Sequence, residues 1–156
     1  MRPLTVLLAL VLHACSATAP RPLTLTAVES AAREVALLEL ADSIFAAARA
    51  RDANRFASYF STRPDFVYLI NKRRLASHDA FRTTFRTMLS RQEFFDVHWG
   101  ERTVQVLTPT SGVLTGEFRT KARRINGEEW EASGVVTFTA VRETAGWRVV
   151  NWHTTE

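Results

Sequence analysis

The spacing of apolar residues changes twice along this chain. Leu4 to Leu12 is an apolar run of nine residues in which Thr5 is the one polar side chain. From residue 28 the apolar positions recur at three and four: Val28, Ala31, Val35, Leu38, Ala41 and Phe45, joined by Leu37, Ile44 and Ala48. That is one stripe of an amphipathic helix about six turns long. Thr26, with Glu29 three residues on, makes a capping box at its start. Asp52 predicts the cap of a shorter second helix that buries Phe56, Tyr59 and Phe60, with Pro64 closing it. Residues 65–70 read as a strand, Lys72-Arg73-Arg74 as a polar connection, and Ser77 as the cap of a third helix carrying Phe81, Phe85, Met88 and Leu89 on one side.

From residue 93 the period falls to two. Strands are predicted over 93–99, 102–107, 112–124, 130–142 and 147–154, broken at Gly100, Thr108-Pro109-Thr110, Asn126-Gly127 and Ala145-Gly146. Asn126-Gly127 is the strongest hairpin signal, because Asn-Gly suits the positive φ angles of a type I′ turn. Helices followed by an antiparallel meander place the chain in the α+β class. No internal repeat or second domain boundary is visible.

The N-terminal run is too short for a bilayer, which needs about twenty residues, but with Arg2 before it the run suits a secretory signal peptide. Leu12-His13-Ala14-Cys15 then resembles a bacterial lipobox. The resemblance implies cleavage before Cys15 and lipidation of that cysteine with a diacylglycerol thioether and an amide-linked acyl chain. The chain would divide into a signal peptide (1–14), a lipidated tether (15–25) and one domain (26–156). Localisation would be the cell envelope, outer membrane or periplasm in a Gram-negative organism. The alternative is cleavage after Ala17-Thr18-Ala19, which would leave the protein secreted.

The order of elements, and the closing run Gly146-Trp147-Arg148-Val149-Val150-Asn151-Trp152-His153-Thr154-Thr155, resemble the nuclear transport factor 2-like superfamily and its SnoaL-like branch. The resemblance implies three helices packed in a strongly curved antiparallel sheet, a cone with a pocket inside, and a sheet that forms a homodimer. Strict alternation in the last strand puts Trp147, Val149, Asn151, His153 and Thr155 on one face and Arg148 on the other, so the tryptophan face is expected to point inward. The superfamily contains isomerases, dehydratases, cyclases, epoxide hydrolases and plain binding or assembly modules, so the fold alone leaves function open.

Candidate chemistry follows from these faces. His153 would serve as a general base in the cone, a common role of an imidazole, or else as a hydrogen-bonded histidine holding the last strand. Asp96 and His98 share a strand face, and a carboxylate orienting an imidazole that meets His153 would make an acid–base set; the alternative is a polar face in solvent. The expected ligand pocket is lined by Tyr59, Phe60, Tyr68, Phe85 and Phe94, with Trp130, Trp147, Asn151 and His153. Asp96, His98 and His153 lack the tight spacing of metal ligands, so no metal is assigned, and no cofactor is implied.

Composition narrows the class. Apolar residues are 46% and charged residues 23% of 156, the averages of a soluble globular chain. A single cysteine excludes an internal disulfide and a multi-cysteine metal site. The net charge is +4, and Arg119, Lys121 and Arg123 share one strand face. Glu101, Glu117, Glu128, Glu129 and Glu131 interrupt them, which argues for a solvated face and against nucleic acid. The expected function is an exported, lipid-anchored domain binding a small apolar molecule, with the membrane and a second copy as its other partners. The alternatives are an isomerase, cyclase or dehydratase using His153 with Asp96 and His98, and an assembly module with a filled cone.

Overall fold

The computed structural model describes residues 25–70, 73–75 and 77–156. Its three helices begin where the local signatures put them. Helix α1 (Ala27–Arg49) opens on a capping box: the Glu29 N–H donates to Thr26 Oγ1 at 3.2 Å, and the Thr26 N–H donates to the Glu29 carboxylate at 2.9 Å. Asp52 caps α2 (Ala53–Ser58) by accepting from the Arg55 N–H, and Ser77 caps α3 (His78–Ser90) by accepting from the Ala80 N–H. The apolar stripe of α1 is core only from Leu37 onward. Val28 and Val35 are 80% and 54% exposed, because the first half of the helix runs out to the turn at Pro109, where Arg33 donates to the Pro109 carbonyl at 3.1 Å.

Six strands follow in one sheet: β1 (Val67–Ile70), β2 (Arg73–Leu75), β3 (Gln92–Thr108), β4 (Ser111–Arg124), β5 (Glu129–Glu143) and β6 (Gly146–Thr155), in the order β2-β1-β6-β5-β4-β3. Strands β3 to β6 form the expected antiparallel meander. Strand β1 lies parallel to β6, so the sheet is mixed rather than wholly antiparallel. It is curved and unclosed, and the helices pack against its concave face. Among the described residues, no helix is long and apolar enough to cross a membrane.

Four local features depart from the pattern read along the chain. Residues 73–75 form a short strand where a polar connection was expected; only Leu75 turns inward, and three residues are too few for an alternation to show. The two strands predicted over 93–107 are one strand. Gly100 does not end it but sits in a bulge, where pairing passes from Trp99↔Phe118 to Arg102↔Gly116. The Asn126-Gly127 hairpin exists with a different turn. Gly127 has φ +85°, but Arg51 is the only described non-glycine residue with a positive φ, so Asn126 lacks the geometry of type I′. The Gly127 N–H donates to the Arg124 carbonyl and the Arg124 N–H to the Glu128 carbonyl, each at 2.8 Å, closing a three-residue loop with the glycine left-handed at its end.

The fourth departure has the largest consequence. Along β5 and β6 the pairing runs Ala140↔Val149 and then Thr139↔Asn151, which leaves Val150 without an opposite residue. One extra residue reverses the alternation beyond it. Trp147 and Val149 turn inward before the bulge, but Trp152 and Thr154 turn inward after it, and Asn151, His153 and Thr155 turn out to solvent.

The core is aromatic. Phe60 lies 4.3 Å from Phe81 and 5.4 Å from Trp152, centroid to centroid, and Trp152 stacks nearly parallel over Phe138 at 5.5 Å. Such pairs contribute about 0.5–1.5 kcal/mol each beyond the area they bury. Two arginines at the end of α1 fasten it to β3: Arg49 donates to the Val97 carbonyl at 2.7 Å and Arg51 to the Gln92 carbonyl at 2.6 Å. These clips hold the helix end against the strand that walls the cone's interior.

Candidate functional site

Between the end of α1, helices α2 and α3, and the concave face of β1, β3, β4, β5 and β6 lies a cavity of about 280 Å³. Its wall is largely aromatic, with Phe56, Phe85, Phe95, Phe118, Trp130 and Trp152 among its members. Inward positions of β4 alternate through Leu114, Gly116, Phe118, Thr120 and Ala122, so one threonine is carried into the apolar face by parity alone.

Buried polar groups inside are few and uncharged. Four polar residues are buried among the described ones, and three of them, Gln92, Thr120 and Thr154, line this cavity. Gln92 is held at both ends of its amide, donating to the Met88 carbonyl at 3.2 Å and accepting from Trp130 Nε1 at 3.3 Å. Thr154 Oγ1 accepts from Trp152 Nε1 at 2.6 Å and is also hydrogen-bonded to the Tyr68 phenol. Burial pushes the Tyr68 phenol well above its usual value; the bond from Thr154 opposes the shift and the Glu156 carboxylate adds to it. Tyr68 therefore stays protonated as a hydrogen-bonding group rather than an anion. Arg124 and Glu156 bring the charges that reach this wall among the described residues.

Of the expected pocket residues, Tyr68, Phe85 and Trp130 line the cavity. Phe60 is buried behind it in the aromatic core. Tyr59 sits at the end of α2, where its hydroxyl accepts from Arg55 Nε at 3.2 Å, and Trp147 is half-buried near the start of β6. Phe94, Asn151 and His153 lie on the outer face, the last two because of the Val150 bulge. Asp96 and His98 do pair, with Oδ1 and Nε2 2.7 Å apart, but on the convex side, with side chains 35% and 63% exposed. They do not meet His153: β4 and β5 intervene, a separation of at least about 14 Å at the usual strand spacing. Among the described residues no three His, Cys, Asp or Glu side chains gather as a metal would require. The same outer face carries the cross-strand pairs Lys121–Glu131 at 2.9 Å and Arg123–Glu93 at 3.0 Å. Cys15, with the rest of the signal and lipobox region, lies outside the described residues.

The residues missed along the chain were Gln92, Thr120, Thr154 and Trp152. A usable signal existed for two of them. Thr120 shares its parity with Phe118, and the spacing of Trp152 from Val149 demands an extra residue if both are to be buried.

Three capped helices against an open, curved sheet, enclosing a chamber, define a protein of the nuclear transport factor 2-like class. Residues 37–154 match the SnoaL-like domain family, and the chain belongs to it. Solved structures agree on the fold. A candidate scytalone dehydratase from Novosphingobium aromaticivorans is 12% identical with a TM-score of 0.77, covering 84% of this chain and 89% of its own. A nuclear transport factor 2-like superfamily protein from Salmonella enterica is 14% identical with a TM-score of 0.71, covering 83% and 92%. A candidate calcium/calmodulin-dependent protein kinase II association domain from Xanthomonas campestris is 24% identical with a TM-score of 0.66, covering 86% and 93%. No curated protein matches the sequence.

Proposed function

We propose that this chain is an exported, lipid-anchored binding domain that holds a small, mainly apolar molecule in its cone. The observation that carries the reading is the chamber: about 280 Å³, aromatic, with most of the described buried polarity turned into it. Small-molecule sites have this make-up of apolar walls and a few placed hydrogen-bonding groups. None of His153, Asp96 and His98 reaches the chamber, which favours binding over the acid–base set those residues would have made. An unfilled chamber also favours binding over a purely assembling module.

Native mass spectrometry of the purified protein should show a co-purifying small molecule, and Ala132→Trp, which fills the chamber from β5, should release it while circular dichroism stays unchanged. A clean unliganded mass across several preparations, with no uptake of added apolar compounds, would overturn the reading. For the anchor, Cys15→Ser should abolish palmitate labelling and free the protein from membranes; unchanged retention would refute it. The proposal includes a homodimer through the convex face, where Phe94 and Val135 are exposed. Sedimentation of a monomer at every concentration would exclude that part.

A further inference from the structure

The chamber does not end at its aromatic wall. A second hollow of about 690 Å³ adjoins it and shares Ile70, Thr84, Met88, Gln92 and Arg124 with it. Arg73, Thr83, Thr87 and Arg91 complete this outer hollow, so three guanidiniums, those of Arg73, Arg91 and Arg124, stand on its wall beside the chamber. They arrive from three separately anchored positions. Arg73 is paired with Ile70 across β1 and β2. Arg91 caps the C-terminal end of α3, its carbonyl accepting from the Ile125 N–H at 3.0 Å. Arg124 ends β4.

Their charges are not equally committed. Arg124 pairs with Glu128, and Arg63, Arg102 and Arg123 elsewhere each hold a carboxylate. Arg73 and Arg91 make no ion pair and no side-chain hydrogen bond among the described residues, and both are exposed. A single exposed arginine is ordinary. Two uncommitted ones on the wall of one hollow, together with Thr83, Thr84 and Thr87 of α3 and next to an aromatic chamber, are not. The guanidinium fork matches a carboxylate in two parallel hydrogen bonds.

We infer that the ligand is an anionic amphiphile: an apolar body in the chamber ending in a carboxylate held by Arg73 and Arg91. The inference rests on the binding reading above and names its ligand class. A chamber of about 280 Å³ lies near the lower end of small-molecule sites, about 300–1,000 Å³, which suits a short apolar body.

The test uses the purified full-length chain near neutral pH and reads quenching of tryptophan fluorescence, since Trp130 and Trp152 line the chamber. Sodium decanoate should bind about tenfold more tightly than decan-1-ol, the effect of one charge-assisted hydrogen bond. Added salt should weaken decanoate and leave decanol unchanged. Sodium acetate should not saturate. Arg73→Gln with Arg91→Gln should bring decanoate to the affinity of decanol, whereas Arg119→Gln on the convex face should alter neither. Equal binding of decanoate and decanol would overturn the anionic head while leaving the binding reading intact. Saturation by acetate as tight as by decanoate would overturn the placement of the tail. Binding of neither ten-carbon probe would overturn the chamber reading and this inference with it. If the double variant fails to fold, the probe and salt comparison on the unaltered chain decides the matter.

Discussion

The reversal of alternation at Val150 makes a sharp prediction about two neighbouring residues. Trp152 is 3% exposed, stacks on Phe138, lies 5.4 Å from Phe60 and donates its indole N–H to Thr154. His153, next along, faces solvent. Truncating Trp152 to alanine uncovers about 150 Å² of buried apolar surface, or about 4 kcal/mol at ~25 cal/mol per Å². That agrees with the 3–5 kcal/mol typical of large aromatic truncations, roughly. With a urea m-value of about 2 kcal/mol/M, the unfolding midpoint should fall by about 2 M. His153→Ala, an exposed substitution, should stay within about 0.5 kcal/mol, a shift of about 0.25 M. Urea titrations followed by far-ultraviolet circular dichroism measure both. If His153→Ala were the more damaging of the two, the strand would lack the bulge and the histidine would be the inward residue. The account of the chamber wall would then fail with it.

Three further outcomes follow from the same geometry. A Cβ on Gly134 would lie 1.9 Å from the Thr155 carbonyl oxygen, a backbone atom with nowhere to go; Gly134→Ala should lose at least ~2 kcal/mol in thermal melts, and a loss under ~0.5 kcal/mol would contradict that contact. The backbone N–H of Thr26 holds the Glu29 carboxyl below its ordinary 4.5. A lowered folded value stabilises above the ordinary one and is lost as pH falls through the folded one. Amide exchange in the first turn of α1 should therefore quicken in acid, and Glu29→Gln should flatten that dependence, whereas Thr26→Ala, which keeps the backbone N–H, should cost about 1 kcal/mol at neutral pH and leave most of it. Tyr68 is shifted the other way, its folded value raised from 10.0 by burial. Its contribution is complete below that value and declines as pH rises past it. Tyr68→Phe should cost about 1 kcal/mol near neutrality, through the lost bond to Thr154, and the gap between variant and parent should narrow in alkali; a gap independent of pH would refute the burial argument.

What could be read along the chain divides by how far the deciding contact lies. Thr26, Asp52 and Ser77 were legible because a cap is settled within three residues, and the place of the Asn126-Gly127 turn was legible for the same reason. The type of that turn was not, because it depends on Arg124 and Glu128 pairing across the strands. Strand β2 was hidden by its length. The bulges at Gly100 and Val150 were hidden because an extra residue exists only relative to a partner strand, and the partner's register is not written locally. A trace was present nonetheless. Strict alternation in β6 would bury Trp147 and Val149 and put Trp152 in water, whereas one bulge buries all three; hydrophobic burial decides for the bulge.

The same step governs how function was read. His153, Asp96 and His98 drew attention because their side chains titrate or act as acids and bases. One inserted residue carries His153 to the convex face, and the parity of β3 carries the other two there. The buried polar groups that face the chamber are a glutamine, two threonines and a tyrosine kept protonated, with Arg124 and Glu156 bringing charge to its wall. The cations that could select a bound molecule stand in the adjoining hollow, where an exposed Arg73 and Arg91 keep their hydration until a ligand's head group replaces it. On the reading proposed above, recognition in this cone divides between an apolar interior that accepts by shape and an adjoining hollow that discriminates by charge.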